Sequence, residues 1–277
     1  MHTLFRFFLI TGLLFSNAIA NADTKTESKY DRLYVFGDSY SDIGARFVAV
    51  NGFTAPYYLA KKMGIELTYP KAPNAAGKSL DYAATGASTG MDPGGERWCC
   101  QGIMKQVTTF AAQVKANEIQ FNPDTTLFFI EGGLNDDELS AKQSIQNISE
   151  EVAILKKLGA KHFTLTLLPT QVSEFSVVAL RINPELIKLV SQEKRSADVI
   201  LNHWGVYLDE IKQNPAKYGL VNVDTKCAGT KVFEEDPTIC ATPDKYFFYF
   251  SRHPSAAVNK LVADRLYGEL ILRNTKN

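Results

Sequence analysis

The chain has no excess of either charge: 30 Lys and Arg balance 30 Asp and Glu across 277 residues, and no basic run stands out. Nucleic acid is therefore not an expected partner, because phosphate binding needs a positive surface. After residue 22 no apolar stretch is long enough to span a bilayer, so no transmembrane segment is expected. Cysteine and histidine are scarce, four of each. The cysteines Cys99, Cys100, Cys227 and Cys240 form no Cys-x-x-Cys and have no histidine nearby, which argues against a structural metal site. Repeats, low-complexity tracts and linkers are also missing, so residues 23–277 read as a single domain.

What is present begins with an export signal. His2 and Arg6 precede an apolar run from Phe7 to Phe15, followed by Ala18-Ile-Ala20 and Ala20-Asn-Ala22. A basic start, a short apolar stretch and a small-x-small site describe a secretory signal peptide over residues 1–22, cut after Ala20 or Ala22. The mature protein is then secreted or periplasmic. Removing 22 of the 277 residues leaves 255, enough for one α/β domain with a sizeable core. In an exported chain four cysteines permit disulfides in three pairings. Cys227 with Cys240 is the expected pair, because it closes a short loop rich in turn residues. Cys99 and Cys100 are left as a vicinal pair or as free thiols.

Strand and helix patterns alternate along the chain. Strands are expected at Leu33–Phe36, Leu80–Ala84, Thr126–Glu131, Phe163–Leu168 and Val221–Val223. Helices are expected at Pro56–Met63, Met104–Ala116, Leu139–Leu158 and Pro254–Leu272. A further long helix is expected from Pro184 to Gln213, with Leu186, Val190, Ala197, Leu201, Trp204, Leu208 and Ile211 on one face. Such alternation predicts a parallel sheet covered on both faces.

Polar residues gather just after apolar strands or turns. Leu33-Tyr-Val-Phe runs into Gly37-Asp38-Ser39-Tyr40-Ser41-Asp42, which delivers a serine hydroxyl to the carboxyl edge of a sheet. Open α/β sheets hold their ligand crevices at that edge. Gly86 follows Tyr82-Ala-Ala-Thr, Asn135-Asp136 follows Gly132-Gly133-Leu134, and His253-Pro254 opens the last helix. Acyl transfer needs a nucleophile, a base and oxyanion donors, and Ser39, His253, a glycine amide and an Asn side chain could supply them.

In these blocks the chain resembles GDSL-type lipases and esterases of the SGNH hydrolase superfamily, in particular the lipolytic, phospholipase-like branch. Gly37-Asp38-Ser39-Tyr40-Ser41-Asp42 is similar to the first family block, with Tyr40 at the name-giving leucine. Asp81-Tyr-Ala-Ala-Thr-Gly86-Ala resembles the second, Gly133-Leu-Asn135-Asp136 the third, and His253-Pro254-Ser255 the end of the last. The blocks stand in family order and span nearly all of the mature chain. The resemblance implies a flavodoxin-like three-layer α/β/α sandwich with a mostly parallel sheet and no metal or cofactor. It implies Ser39 as nucleophile, His253 as general base, and an oxyanion hole from the Ser39 and Gly86 amides with the Asn135 side chain. The implied activity is hydrolysis of acyl esters through an acyl-enzyme. Tyr58-Leu-Ala and Met63-Gly64 after the first block resemble members that act on lipid or lysophospholipid esters rather than sugar acetates.

One departure bears on mechanism. The family usually carries Asp three residues before the histidine, where this chain has Phe250. That acid orients the imidazole and stabilises its cation. Three outcomes are open: a backbone carbonyl holding the ring, a relocated acid such as Asp244 or Asp236, or loss of catalysis to leave a lipid- or glycan-binding protein. Transfer of the acyl group to an alcohol other than water is a further alternative. Competing residues fit less well. Gly86-Ala-Ser88-Thr-Gly90 matches the Gly-x-Ser-x-Gly elbow, but that motif needs a strand before the serine and a helix after it. His162 and His203 are expected to be structural, and the Asn147-Ile-Ser149 glycosylation sequon falls inside an expected helix.

Overall fold

The computed structural model describes residues 28–43, 49–91, 102–228 and 239–274. The expected signal peptide, Cys99, Cys100 and Asp236 lie outside these residues. Eight strands are described: β1 (Arg32–Phe36), β2 (Leu67–Thr68), β3 (Ser79–Asp81), β4 (Thr126–Ile130), β5 (His162–Thr166), β6 (Asp198–Asn202), β7 (Asn222–Lys226) and β8 (Tyr246–Phe248). The α-helices are α1 (Ala55–Lys62), α2 (Ile103–Lys115), α3 (Ala141–Lys157), α4 (Ser173–Glu193), α5 (Trp204–Gln213) and α6 (Ala256–Asn274).

The main sheet has the order β2-β3-β1-β4-β5-β6, and every pairing in it is parallel. Alternation along the strands builds a core on each face. Leu33, Val35, Leu127 and Phe129 face one layer with α1, α5 and α6. Tyr34, Phe36, Phe128 and Ile130 face the other with α2 and α3. The helix α4 serves both layers, with Phe175, Val178 and Ile182 in the first and Leu186, Leu189 and Val190 in the second. The result is the three-layer α/β sandwich with a parallel sheet that the blocks imply.

Strand β1 sits between β3 and β4. The chain moves to one side of β1 to form β3 and later crosses to the other to form β4. The carboxyl end of β1 is therefore a topological switch point, where open sheets form crevices. Residues 37–42 leave the sheet there.

One expected element is corrected. The long helix from Pro184 to Gln213 is interrupted by a strand: α4 begins earlier, at Ser173, and stops at Glu193, and β6 pairs with β5 before α5 begins. The apolar residues on both sides of Asp198–Asn202 kept helical spacing, and that masked a five-residue strand. Buried, β-branched Val199 and Ile200 suit a pleated surface, and pairing with β5 decides the outcome. Pro184 stands inside α4, where its missing N–H leaves the exposed Leu180 carbonyl to solvent. The strands β2 and β8 were not anticipated; with two and three residues they carry no readable pattern.

Candidate active site

Immediately after β1 the backbone folds into a turn. The Ser41 and Asp42 amides donate to the Asp38 carbonyl at 3.1 and 2.9 Å, and the Asp38 side chain accepts from the Tyr40 amide at 3.0 Å. Ser39 projects from this turn and is 8% exposed. Facing this turn, the segment before α6 turns back sharply. His253 N–H donates to the Phe250 carbonyl at 2.8 Å, with Ser251 at a φ of 47° between them. The two loops meet: His253 Nε2 lies 2.8 Å from Ser39 Oγ. Tyr40 ties them together, since its hydroxyl donates to the Arg252 carbonyl at 2.5 Å and its ring packs near His253.

The other ring nitrogen decides the tautomer. His253 Nδ1 lies 3.2 Å from the Phe250 carbonyl. A carbonyl only accepts, so Nδ1 carries the hydrogen and Nε2 presents its lone pair to the serine hydroxyl. Burial lowers the His253 pKa to about 4, and the neighbouring Arg252 charge adds to that effect. The ring is therefore neutral at pH 7 and able to accept a proton.

The expected oxyanion donors are the Ser39 and Gly86 amides and the Asn135 side chain. The Ser39 and Gly86 amides donate no hydrogen bond among the described residues. Gly86 takes a φ of 81°, a left-handed conformation in which glycine meets no Cβ penalty. Asn135 Nδ2 lies 3.0 Å from the Ala87 carbonyl and 3.3 Å from Asp38 Oδ2. Its amide is thus engaged by the residue before Ser39 and the residue after Gly86, and the Asp38 contact must yield before Asn135 can serve an oxyanion. Asp42 fixes the second block to the first by accepting from the Thr85 amide and hydroxyl at 3.1 and 2.9 Å.

The remaining candidates fall elsewhere. Asp244 is exposed and accepts from Asn51 at 3.3 Å, so it is not the acid behind His253. Ser88 is buried and makes no hydrogen bond to a histidine among the described residues. His162 pairs with Asp198 at 2.9 Å, and His203 pairs with Glu269. Asn147 sits in α3 and donates to Thr89 at 3.0 Å. Cys227 and Cys240 form the expected disulfide, with Cα atoms 5.0 Å apart. No group of three metal-ligating side chains occurs among the described residues.

Two residues at the site went unnoticed in the sequence. Glu131 is fully buried beside the nucleophile turn, and so is the Asp38 carboxyl. The Asp38 amide donates to Glu131 Oε2 at 3.3 Å, which brings the two acidic residues together. Burial together with the Glu131 charge pushes Asp38 well above the usual carboxylate range, and burial raises Glu131. Gln106, from α2, bonds both the N–H and the carbonyl of Gly37. A Glu ending the apolar run Thr-Leu-Phe-Phe-Ile was the available signal for the first; Gln106 had none.

The chain is similar to known proteins over most of its length. The profile of the GDSL-like Lipase/Acylhydrolase family matches residues 33–266. A GDSL esterase/lipase of Arabidopsis thaliana is 24% identical over 290 residues, covering 83% of this chain and 82% of its own. Another from the same plant is 34% identical over 97 residues, 31% of this chain and 26% of its own. A member of the lipolytic G-D-S-L family from Veillonella parvula, known as a crystal structure, superposes with a TM-score of 0.51 at 13% identity. That superposition covers 84% of this chain and 94% of the other, and the likeness is one of fold.

Proposed function

The chain belongs to the GDSL-like lipase/acylhydrolase family, and from that premise we propose that it hydrolyses acyl esters through an acyl-enzyme on Ser39. The observation that carries the proposal is the line from the Phe250 carbonyl through His253 to Ser39 Oγ. In this mechanism His253 Nε2 takes the hydroxyl proton as Ser39 Oγ bonds to the ester carbonyl carbon. The negative charge that develops on the carbonyl oxygen meets the Ser39 and Gly86 amides, joined by Asn135 once it leaves Asp38. The tetrahedral intermediate collapses, the ester C–O bond breaks, and the alcohol leaves with the proton from His253. Water then repeats the sequence on the acyl-enzyme and releases the acid.

Lipid or lysophospholipid esters are the proposed substrates. Besides the block spacing, support comes from elements bordering the site, which expose Met91, Val177 and Leu180 at 48%, 73% and 64%. Export of residues 23–277 as one hydrolase domain, after loss of residues 1–22, completes the reading. The Cys227–Cys240 disulfide supports an oxidising compartment, and no helix among the described residues is long and apolar enough to cross a membrane.

The test is turnover of p-nitrophenyl esters of increasing acyl length, and of lysophosphatidylcholine, by the purified mature chain. Hydrolysis that favours the longer acyl groups and disappears in Ser39→Ala is expected. No turnover of any ester would contradict the proposal and favour a binding protein.

A further inference from the structure

Every backbone N–H in the nucleophile turn but one is satisfied within the protein. Gly37 donates to Gln106 Oε1 at 2.9 Å, and Asp38 to Glu131 Oε2 at 3.3 Å. Tyr40 donates to the Asp38 side chain, and Ser41 and Asp42 to the Asp38 carbonyl. Only the Ser39 amide donates to nothing among the described residues. Buried amides are almost always paired, so a single unpaired N–H beside a reactive hydroxyl is a prepared position.

Two side chains hold the turn from behind. Glu131 also accepts from the Ser41 hydroxyl at 3.0 Å, so it holds the turn on both sides of Ser39. The Gln106 amide returns a hydrogen bond to the Gly37 carbonyl at 2.8 Å, which makes its grip two-pronged. The fit is close: a Cβ added at Gly37 would lie 3.0 Å from the Glu131 carbonyl oxygen and 3.0 Å from its Oε2. Register explains the arrangement. Phe36 pairs with Ile130, the last residue of β4, in the parallel sheet, so Glu131, which follows it, stands beside the first residues of the turn.

We propose that Glu131 and Gln106 are positioning residues that fix the nucleophile turn and keep the Ser39 amide turned toward the ester. The inference rests on Ser39 being the nucleophile. Neither side chain touches the reacting atoms. Both act through the backbone on either side of Ser39, so their loss lowers the rate of acylation and leaves substrate binding unchanged.

The experiment compares wild type with Glu131→Val, Glu131→Gln and Gln106→Leu, scoring labelling of Ser39 by a fluorophosphonate, ester kcat and KM, and thermal unfolding. In Glu131→Val and Gln106→Leu the labelling rate and kcat fall about 100-fold with KM unchanged, the scale of a misplacement near 1 Å. Glu131→Gln, which keeps an acceptor oxygen for Asp38 and Ser41, recovers part of that loss. Labelling of folded Glu131→Val and Gln106→Leu at the wild-type rate overturns the proposal while leaving the hydrolase reading intact. Loss of the fold in both also overturns it, because the residues are then structural. Failure of wild type to label at Ser39 overturns the hydrolase reading and this inference together.

Discussion

Phe250 stands three residues before His253, where the family usually places an aspartate. Its side chain cannot orient an imidazole, but its carbonyl lies 3.2 Å from Nδ1 and fixes the same tautomer. The carbonyl carries no charge, so it offers the imidazolium less stabilisation than a carboxylate would. This has a consequence for pH. Burial lowers the pKa of His253 to about 4, and a general base works only when unprotonated. Activity is therefore retained as pH falls below the ordinary histidine value of about 6.5, and it is lost only as pH passes through about 4. A kcat/KM profile checks this: half-maximal activity near pH 4 is expected, whereas a midpoint at or above 6.5 would mean that a carboxylate supports the ring. Tyr40 teaches a related lesson. In the sequence it is a departure from the family leucine; in the fold it joins the serine turn to the Arg252 carbonyl.

Among the elements, β1 and β4 were readable because each is an unbroken apolar run ending in glycine or an acid. The strand β6 was not, because its flanks continued a helical pattern and only pairing with β5 distinguishes the two outcomes. The helix α3 holds an oddity of another kind. Glu151 is fully buried, and neither of its carboxyl oxygens has a hydrogen-bond partner among the described residues. Burial, with the nearby Asp136 and Glu150 charges, raises its pKa well above the usual range. A group whose folded pKa is raised holds its proton in the native state, so stability falls as pH rises above the unfolded carboxyl value. Glu151→Met removes the unpartnered group at similar volume and is expected to stabilise the protein by about 1–3 kcal/mol. Urea unfolding at pH 5 and pH 8 measures it, with the larger gain at pH 8. A loss of stability at both values would contradict this account of α3.

At the scale of the whole molecule, the order of the blocks along the chain was legible, and their meeting in space follows from the parallel topology. With β1 between β3 and β4, the serine turn lies between the loop that carries Gly86 and the loop that carries Asn135. Legibility ended where strand register and helix packing take over. Glu131 and Gln106 reach Gly37 and Asp38 only because β4 and α2 flank β1, and no local pattern in the sequence encodes that. Ser88 is the converse case: its local pattern fits a nucleophile, but no strand delivers it and, among the described residues, no histidine bonds to it. The central claim is that the hydroxyl activated by His253 belongs to Ser39. Mass spectrometry of the fluorophosphonate adduct tests it most directly. A single adduct on Ser39, absent from both Ser39→Ala and His253→Ala, is the predicted result; an adduct on Ser88, or one on Ser39 that forms equally fast without His253, would contradict it.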